Sequence, residues 1–175
     1  MGLSKETTKL EAEKLFNMYF QMNSKLDTIV YCLQNDFNLT RFADFIHHSL
    51  SHLMPLWADN IQEFADLRGD KFHRSALQAS VGDYNSPIEC MKDAYEYCLE
   101  LERQLNIGIK TAIQNDDLMY EDFLRDFNFS KQAQLTHQIY KFKVALEDYD
   151  EDNIVALFNK DFDSYIIPYF KAKED

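Results

Sequence analysis

Apolar residues recur at helical spacing along nearly the whole chain. From about Ser4 to Leu33, the residues Leu15, Tyr19, Met22, Leu26, Ile29 and Leu33 are spaced four, three, four, three and four apart. That spacing draws one stripe on a helix. The leading part, Ser4 to Glu13, is polar apart from Leu10, so it is expected to project from the core or to form a short helix of its own. Asn35-Asp36-Phe37-Asn38 breaks the pattern. A second helix is predicted from about Leu39 to Leu67, with Phe42, Ile46, Leu53, Leu56, Phe64 and Leu67 inward. Pro55 lies inside it, where a missing backbone donor is expected to kink the helix. Gly69 supplies a left-handed stop.

Residues 70–85 read as a long connection, with a short helical turn expected near Ser75–Ala79. Ser86-Pro87-Ile88-Glu89 is a start signal: Ser as cap, Pro at the first helical position, and Glu three residues after the cap. The third helix runs to about Ala112, with Met91, Tyr95, Cys98, Leu101, Leu105 and Ile109 inward. Asp116 or Asp117 caps a fourth helix to about Leu146, which uses Phe123, Phe127, His137, Tyr140 and Val144. A short C-terminal helix is predicted near Asn153–Lys160, followed by a tail containing Tyr165 to Phe170. The chain reads as one all-α domain over residues 1–175. Each long helix would span roughly 40–45 Å at about 1.5 Å per residue. Connections that are short, long and short suit a four-helix bundle with one crossover, in which helices two and three run parallel, the ferritin-like topology.

Composition narrows the field further. The chain has 175 residues and a net charge of −12, with only 4 Gly and 3 Pro. A turn-rich β-sandwich is thereby excluded. No apolar stretch approaches the length of a membrane span, and Met1 to Lys14 lacks the apolar core of a signal peptide. Three cysteines (Cys32, Cys90, Cys98) form no CxxC, which points to a reducing cytoplasm. Without secretion, the Asn38 and Asn128 sequons carry no meaning. The net charge repels nucleic acid over most of the surface, so any DNA contact requires a local basic segment.

A di-iron centre inside a ferritin-like bundle needs Glu-x-x-His on its helices, and the sequence contains none. The second helix offers another set: Asp44, His48, Asp59 and Glu63, two pairs each spaced i, i+4. At a uniform ~100° per residue they fall at about 0°, 40°, 60° and 100°, all on one side of the helix. Asp44 and Glu63 are separated by ~28 Å along the axis, so the pairs can meet only between two copies packed antiparallel. Carboxylate plus imidazole is an iron-type ligand set. Solvated surface is the competing reading of the same four residues. His47 and His52 read as packing or surface side chains, and Gln132, His137 and Glu102 as buried polar positions. The acidic run Glu147–Asp152 fails as a calcium loop, because Asn153 stands where Gly is needed and Asn159 where Glu is needed.

Asp59-Asn-Ile-Gln-Glu63 followed by Arg68-Gly69-Asp70, the stretch Ser80 to Leu105, and Tyr120-Glu-Asp-Phe-Leu through Glu147 resemble the Dps miniferritins (DNA protection during starvation). The resemblance covers most of residues 25–147 and is weak residue by residue. The family's upstream His-x-x-x-Asp stands here reversed, as Asp44-x-x-x-His48, and a further family histidine falls on Cys32. The resemblance implies a twelve-subunit shell, cytoplasmic and nucleoid-associated, that oxidises Fe(II) and keeps the ferric mineral. Asp59 and Glu63 would be ligands from one subunit, and Asp44 and His48 from its neighbour. It also implies DNA contact through Lys5, Lys9 and Lys14, although Glu6, Glu11 and Glu13 are interleaved with them. The alternatives are a non-catalytic DNA-binding or scaffold shell, and a ferritin relative with an eroded site in a larger cage of twenty-four chains.

Overall fold

The computed structural model describes residues 5–171 except Val81, and these are all-helical, without a strand. Four long helical runs match the four predicted. The first is α1 (Glu6–Asn35). The second, residues 40–67, joins α2 (Thr40–Phe45), a π-helical turn (Ile46–Ser51) and α3 (Leu53–Leu67). The third is α4 (Pro87–Gln114). The fourth, residues 118–147, joins α5 (Leu118–Phe127), a second π-helical turn (Asn128–Gln132) and α6 (Ala133–Glu147). Short pieces follow: α7 (Glu151–Asn153), a π-turn (Ile154–Phe158), α8 (Asn159–Asp161), a 3-10 turn (Phe162–Tyr165) and α9 (Pro168–Lys171).

The caps follow the sequence with small differences. Ser86 Oγ accepts from Glu89 N, while the Glu89 carboxylate reaches back to Asn85 N rather than to the cap itself. Of the two candidates at the fourth helix, Asp117 is the cap, accepting from Tyr120 N. Asp116 instead takes the left-handed conformation between the helices, at φ 54°. Gly69 does the same after α3, at φ 80°.

Side-chain pairs fix the directions. Lys25–Asp93, Tyr97 to the Met18 carbonyl, Gln104–Glu11 and Asn115–Thr8 run in opposite senses along α1 and α4. Asn23–Ser51 and the Tyr19–Trp57 ring contact show the second run antiparallel to α1 as well. The second and third runs are therefore parallel to each other. The connection between them lies along α1. Asn17 accepts from Ser75 N and donates to the His73 carbonyl, and Gln21 brackets Gln78 in the same two-sided way. Farther along, Cys32 Sγ–H donates to the Gly82 carbonyl. The helical turn expected at Ser75–Ala79 does not form. Two side-chain amides one α1 turn apart satisfy the backbone in extended form instead.

The α1 stripe is buried as predicted, and α4 buries Met91, Cys98, Leu101, Leu105 and Ile109 with Tyr95 partly covered. The other two long runs depart from prediction beyond their π-turns. Leu56 and Leu67 are exposed, and the inward stripe is Ile46, Leu50, Met54, Trp57, Ile61 and Ala65. His137 and Tyr140 are likewise exposed, while Leu135, Ile139, Phe142 and Leu146 face inward. A π-turn holds one more residue than an α-turn, so the stripe downstream is shifted by about one position. Gly108 lets α4 approach α5, since a Cβ there would lie 3.0 Å from Leu124 Cδ1.

The two ends also differ from expectation. The segment from Lys5 to Lys14 continues α1 and packs, with Thr8 and Ala12 buried against the third run. The predicted C-terminal tail is seated on α6: Gln138 donates to the Tyr165 carbonyl and accepts from Ile167 N, and Phe170 is fully buried. Among the described residues, no helix is long and apolar enough to cross a membrane.

Candidate metal centre on the second helical run

Asp44, His48, Asp59 and Glu63 are all exposed. Asp44 and His48 line a groove of about 760 Å³ together with Arg41, Phe162 and Asp163. Asp59 and Glu63 lie farther along the run, and the chain does not bring the two pairs together. The π-turn between them rotates the downstream pair by about one residue's angle relative to the upstream pair. None of the three carboxylates hydrogen-bonds or ion-pairs with another described residue, whereas Arg41 in the same groove is held by Asp163 at 3.0 Å.

The π-turn creates a cluster that uniform α-geometry conceals. On an α-helix, residues five apart point about 140° apart. In a π-turn, five residues close roughly one turn. Accordingly His52 N donates to the His47 carbonyl at 3.2 Å, and the rings of His47 and His52 lie 4.4 Å apart. His48 sits beside both, 4.8 Å from His47 and 5.3 Å from His52 between ring centroids. One ligand nitrogen from each histidine lies within 4.8 Å of the other two. Among the described residues this is the one group of three or more metal-capable side chains that converges. The sequence reads His47 and His52 as packing or surface side chains, and on an α-helix His47 would lie about 100° from His48 and about 140° from His52.

The turn is anchored to α1. Pro55 has no N–H for the Ser51 carbonyl, and Asn23 on α1 supplies the missing donor at 3.2 Å. The same amide donates to Ser51 Oγ, whose hydroxyl donates to Asp27 at 2.6 Å. Asp27 Oδ1 in turn lies 3.5 Å from His47 Nδ1, a buried nitrogen with no hydrogen-bond partner. The proline expected to kink the helix is thus linked, through its freed carbonyl, to the placement of the histidines.

The interior is different in character. Tyr19 Oη donates to Gln132 Oε1 at 2.6 Å, and Gln132 Nε2 donates to the Cys98 carbonyl and Thr136 Oγ1. Trp57 and Phe127 pack edge-on against Tyr19. Burial pushes the Tyr19 hydroxyl and the Cys98 thiol up, with the half-buried Glu102 adding to both. These groups are neutral, and among the described residues the two buried carboxylates are engaged at one end of the molecule. There Asp117 pairs with Arg68 at 3.0 Å, and Asp70 accepts from the Tyr120 hydroxyl. A tyrosine, a thiol and a glutamine with one nearby carboxylate do not fit an iron centre, which takes clustered carboxylate and imidazole.

Of the three candidate DNA-contacting lysines, Lys5 is exposed at the helix start. Lys9 pairs with Glu6 at 3.8 Å, and Lys14 with Glu11 at 2.8 Å. No family model matches the chain, and no curated protein matches it.

Proposed function

We propose that this chain is the subunit of a ferritin-like shell, a four-helix bundle with a single crossover, that has no redox centre of its own interior and serves as a structural, scaffold member of the assembly. The observation that carries the reading is the closed interior: Tyr19, Gln132, Trp57, Phe127 and Cys98 fill the space between the long helices with neutral groups. The parallel second and third runs, joined by a connection along α1, support the ferritin-like topology. Particle mass tests the assembly: twelve or twenty-four chains sustain it, and a lone subunit rejects it. Stopped-flow Fe(II) oxidation tests the chemistry, and saturable oxidation abolished by Cys98→Ala with Gln132→Leu would reject the closed interior.

A second reading is the Dps-like ferroxidase, with iron as substrate held by Asp59 and Glu63 of one copy and Asp44 and His48 of another. The exposure of all four, with the carboxylates unengaged, favours it. Saturable Fe(II) oxidation lost on Asp59→Ala with Glu63→Ala would establish this reading in place of the first. DNA contact through Lys5, Lys9 and Lys14 is tested by replacing all three with Ala. Deleting the segment would also strip Thr8 and Ala12 from the core. Unchanged gel retardation in the triple variant rejects the lysine role.

A further inference from the structure

We infer that His47, His48 and His52 form a mononuclear binding site for a borderline divalent transition metal, zinc above all, on the outer face of the second helical run. The chemistry follows from the donor set. Three neutral imidazoles without a carboxylate in the first sphere suit Zn²⁺, with Cu²⁺ and Ni²⁺ as competitors, better than the oxygen-rich sites that hold Mg²⁺ or Ca²⁺. Three protein nitrogens and one open position is a known zinc arrangement. Bonds of about 2.0–2.1 Å place tetrahedral nitrogens roughly 3.3 Å apart. The nitrogens now lie within 4.8 Å of one another, so capture requires a closure of up to about 1.5 Å, within reach of ring rotation. His48 and His52 are exposed.

His47 is the fixed member. Asp27 faces its Nδ1 at 3.5 Å and is itself held by the Ser51 hydroxyl. That leaves Nε2 toward the metal, with a carboxylate behind the imidazole, the second-sphere arrangement that sets tautomer and ring orientation. The buried Nδ1 has no hydrogen-bond partner, and the Asp27 carboxylate stands 3.5 Å from it. The site needs neither a second copy nor the Asp59/Glu63 pair, and of the four residues in the ferroxidase reading it shares only His48.

Titration of the full-length chain with ZnCl₂ by calorimetry tests the inference, alongside Co²⁺ substitution monitored by its visible d–d absorption. One zinc per chain and an intense tetrahedral Co²⁺ spectrum are expected. His48→Gln and His52→Gln, both at exposed positions, should each abolish saturable binding while far-UV circular dichroism stays unchanged. Asp27→Asn should weaken binding about 10–100-fold without changing stoichiometry. Asp59→Ala with Glu63→Ala should change nothing. Zinc binding that survives both histidine variants, or that disappears with the Asp59/Glu63 variant, overturns the assignment, as does the absence of saturable binding in the unmodified chain.

Discussion

Replacing the Tyr19–Gln132 pair tests whether the centre of this molecule is a satisfied neutral core. Both side chains are fully buried and their hydrogen bond is 2.6 Å long. Tyr19→Phe leaves Gln132 Oε1 without a donor in an apolar setting, a cost of about 1–3 kcal/mol. Gln132→Leu strands the Tyr19 hydroxyl and also removes the donor to Thr136 Oγ1, so its cost should lie toward the upper end of that ~1–3 kcal/mol range. The double variant removes both polar groups and keeps the volume roughly filled. It should be less destabilised than the sum of the singles by about 1–2 kcal/mol. For a chain of this length about 1 kcal/mol moves Tm by ~2–4 °C, so Tyr19→Phe, at about 1–3 kcal/mol, should melt about 2–12 °C lower and the double variant should recover part of the loss. Melts must be run at one protein concentration, because assembly shifts apparent stability. Additive single effects, to within about 0.5 kcal/mol, would refute the coupling. A change in Fe(II) oxidation rate in either single variant would refute the neutral-core argument itself.

Three other perturbations probe the supports of the fold and the histidine turn. Asn23→Ala should cost about 1–3 kcal/mol by orphaning the Ser51 carbonyl that Pro55 cannot serve. Adding Pro55→Ala should restore part of it by returning a backbone donor, and a double variant melting below the single would contradict this. Arg68→Ala should cost about 3–5 kcal/mol, since it leaves the buried Asp117 carboxylate uncompensated. Asp117→Asn in that background should raise Tm, and a further fall would count against the ion-pair account. Burial pushes the Glu11 carboxyl up, but hydrogen bonds from Lys14 and Gln104 outweigh it and hold the group below its ordinary value of 4.5. A carboxyl depressed on folding adds stability above its unfolded pKa and loses it as pH falls through the folded value. The Tm gap between the unmodified chain and Glu11→Gln should therefore narrow as pH drops below about 4.5; a gap that widens reverses the sign and the reasoning.

What the sequence made legible is what depends on local rules. The stripe of α1, the Ser86-Pro87 start and the Gly69 stop are written in spacing and in residue chemistry, and each reappears where it was expected. The helical turn sought at Ser75–Ala79 was not legible, because the partners that hold that stretch extended, Asn17 and Gln21, lie more than fifty residues away. The packing of the two ends was hidden for the same reason. Thr8 and Phe170 are buried by helices distant in sequence.

The largest misreading has one cause. A helical wheel assumes a constant angle per residue, and two of the four long runs break that assumption at Ile46–Ser51 and Asn128–Gln132. Every inward residue assigned upstream of a break is at least partly covered, while Leu56, Leu67, His137 and Tyr140 downstream point outward. The first break hid the candidate site as well as the register. His47, His48 and His52 spread over roughly 140° on an α-wheel and converge only when the turn widens. At the end of that turn Pro55 frees the Ser51 carbonyl four residues earlier. Only when Asn23 reaches across from α1 to take that carbonyl does the local rule for proline become a constraint on three histidines.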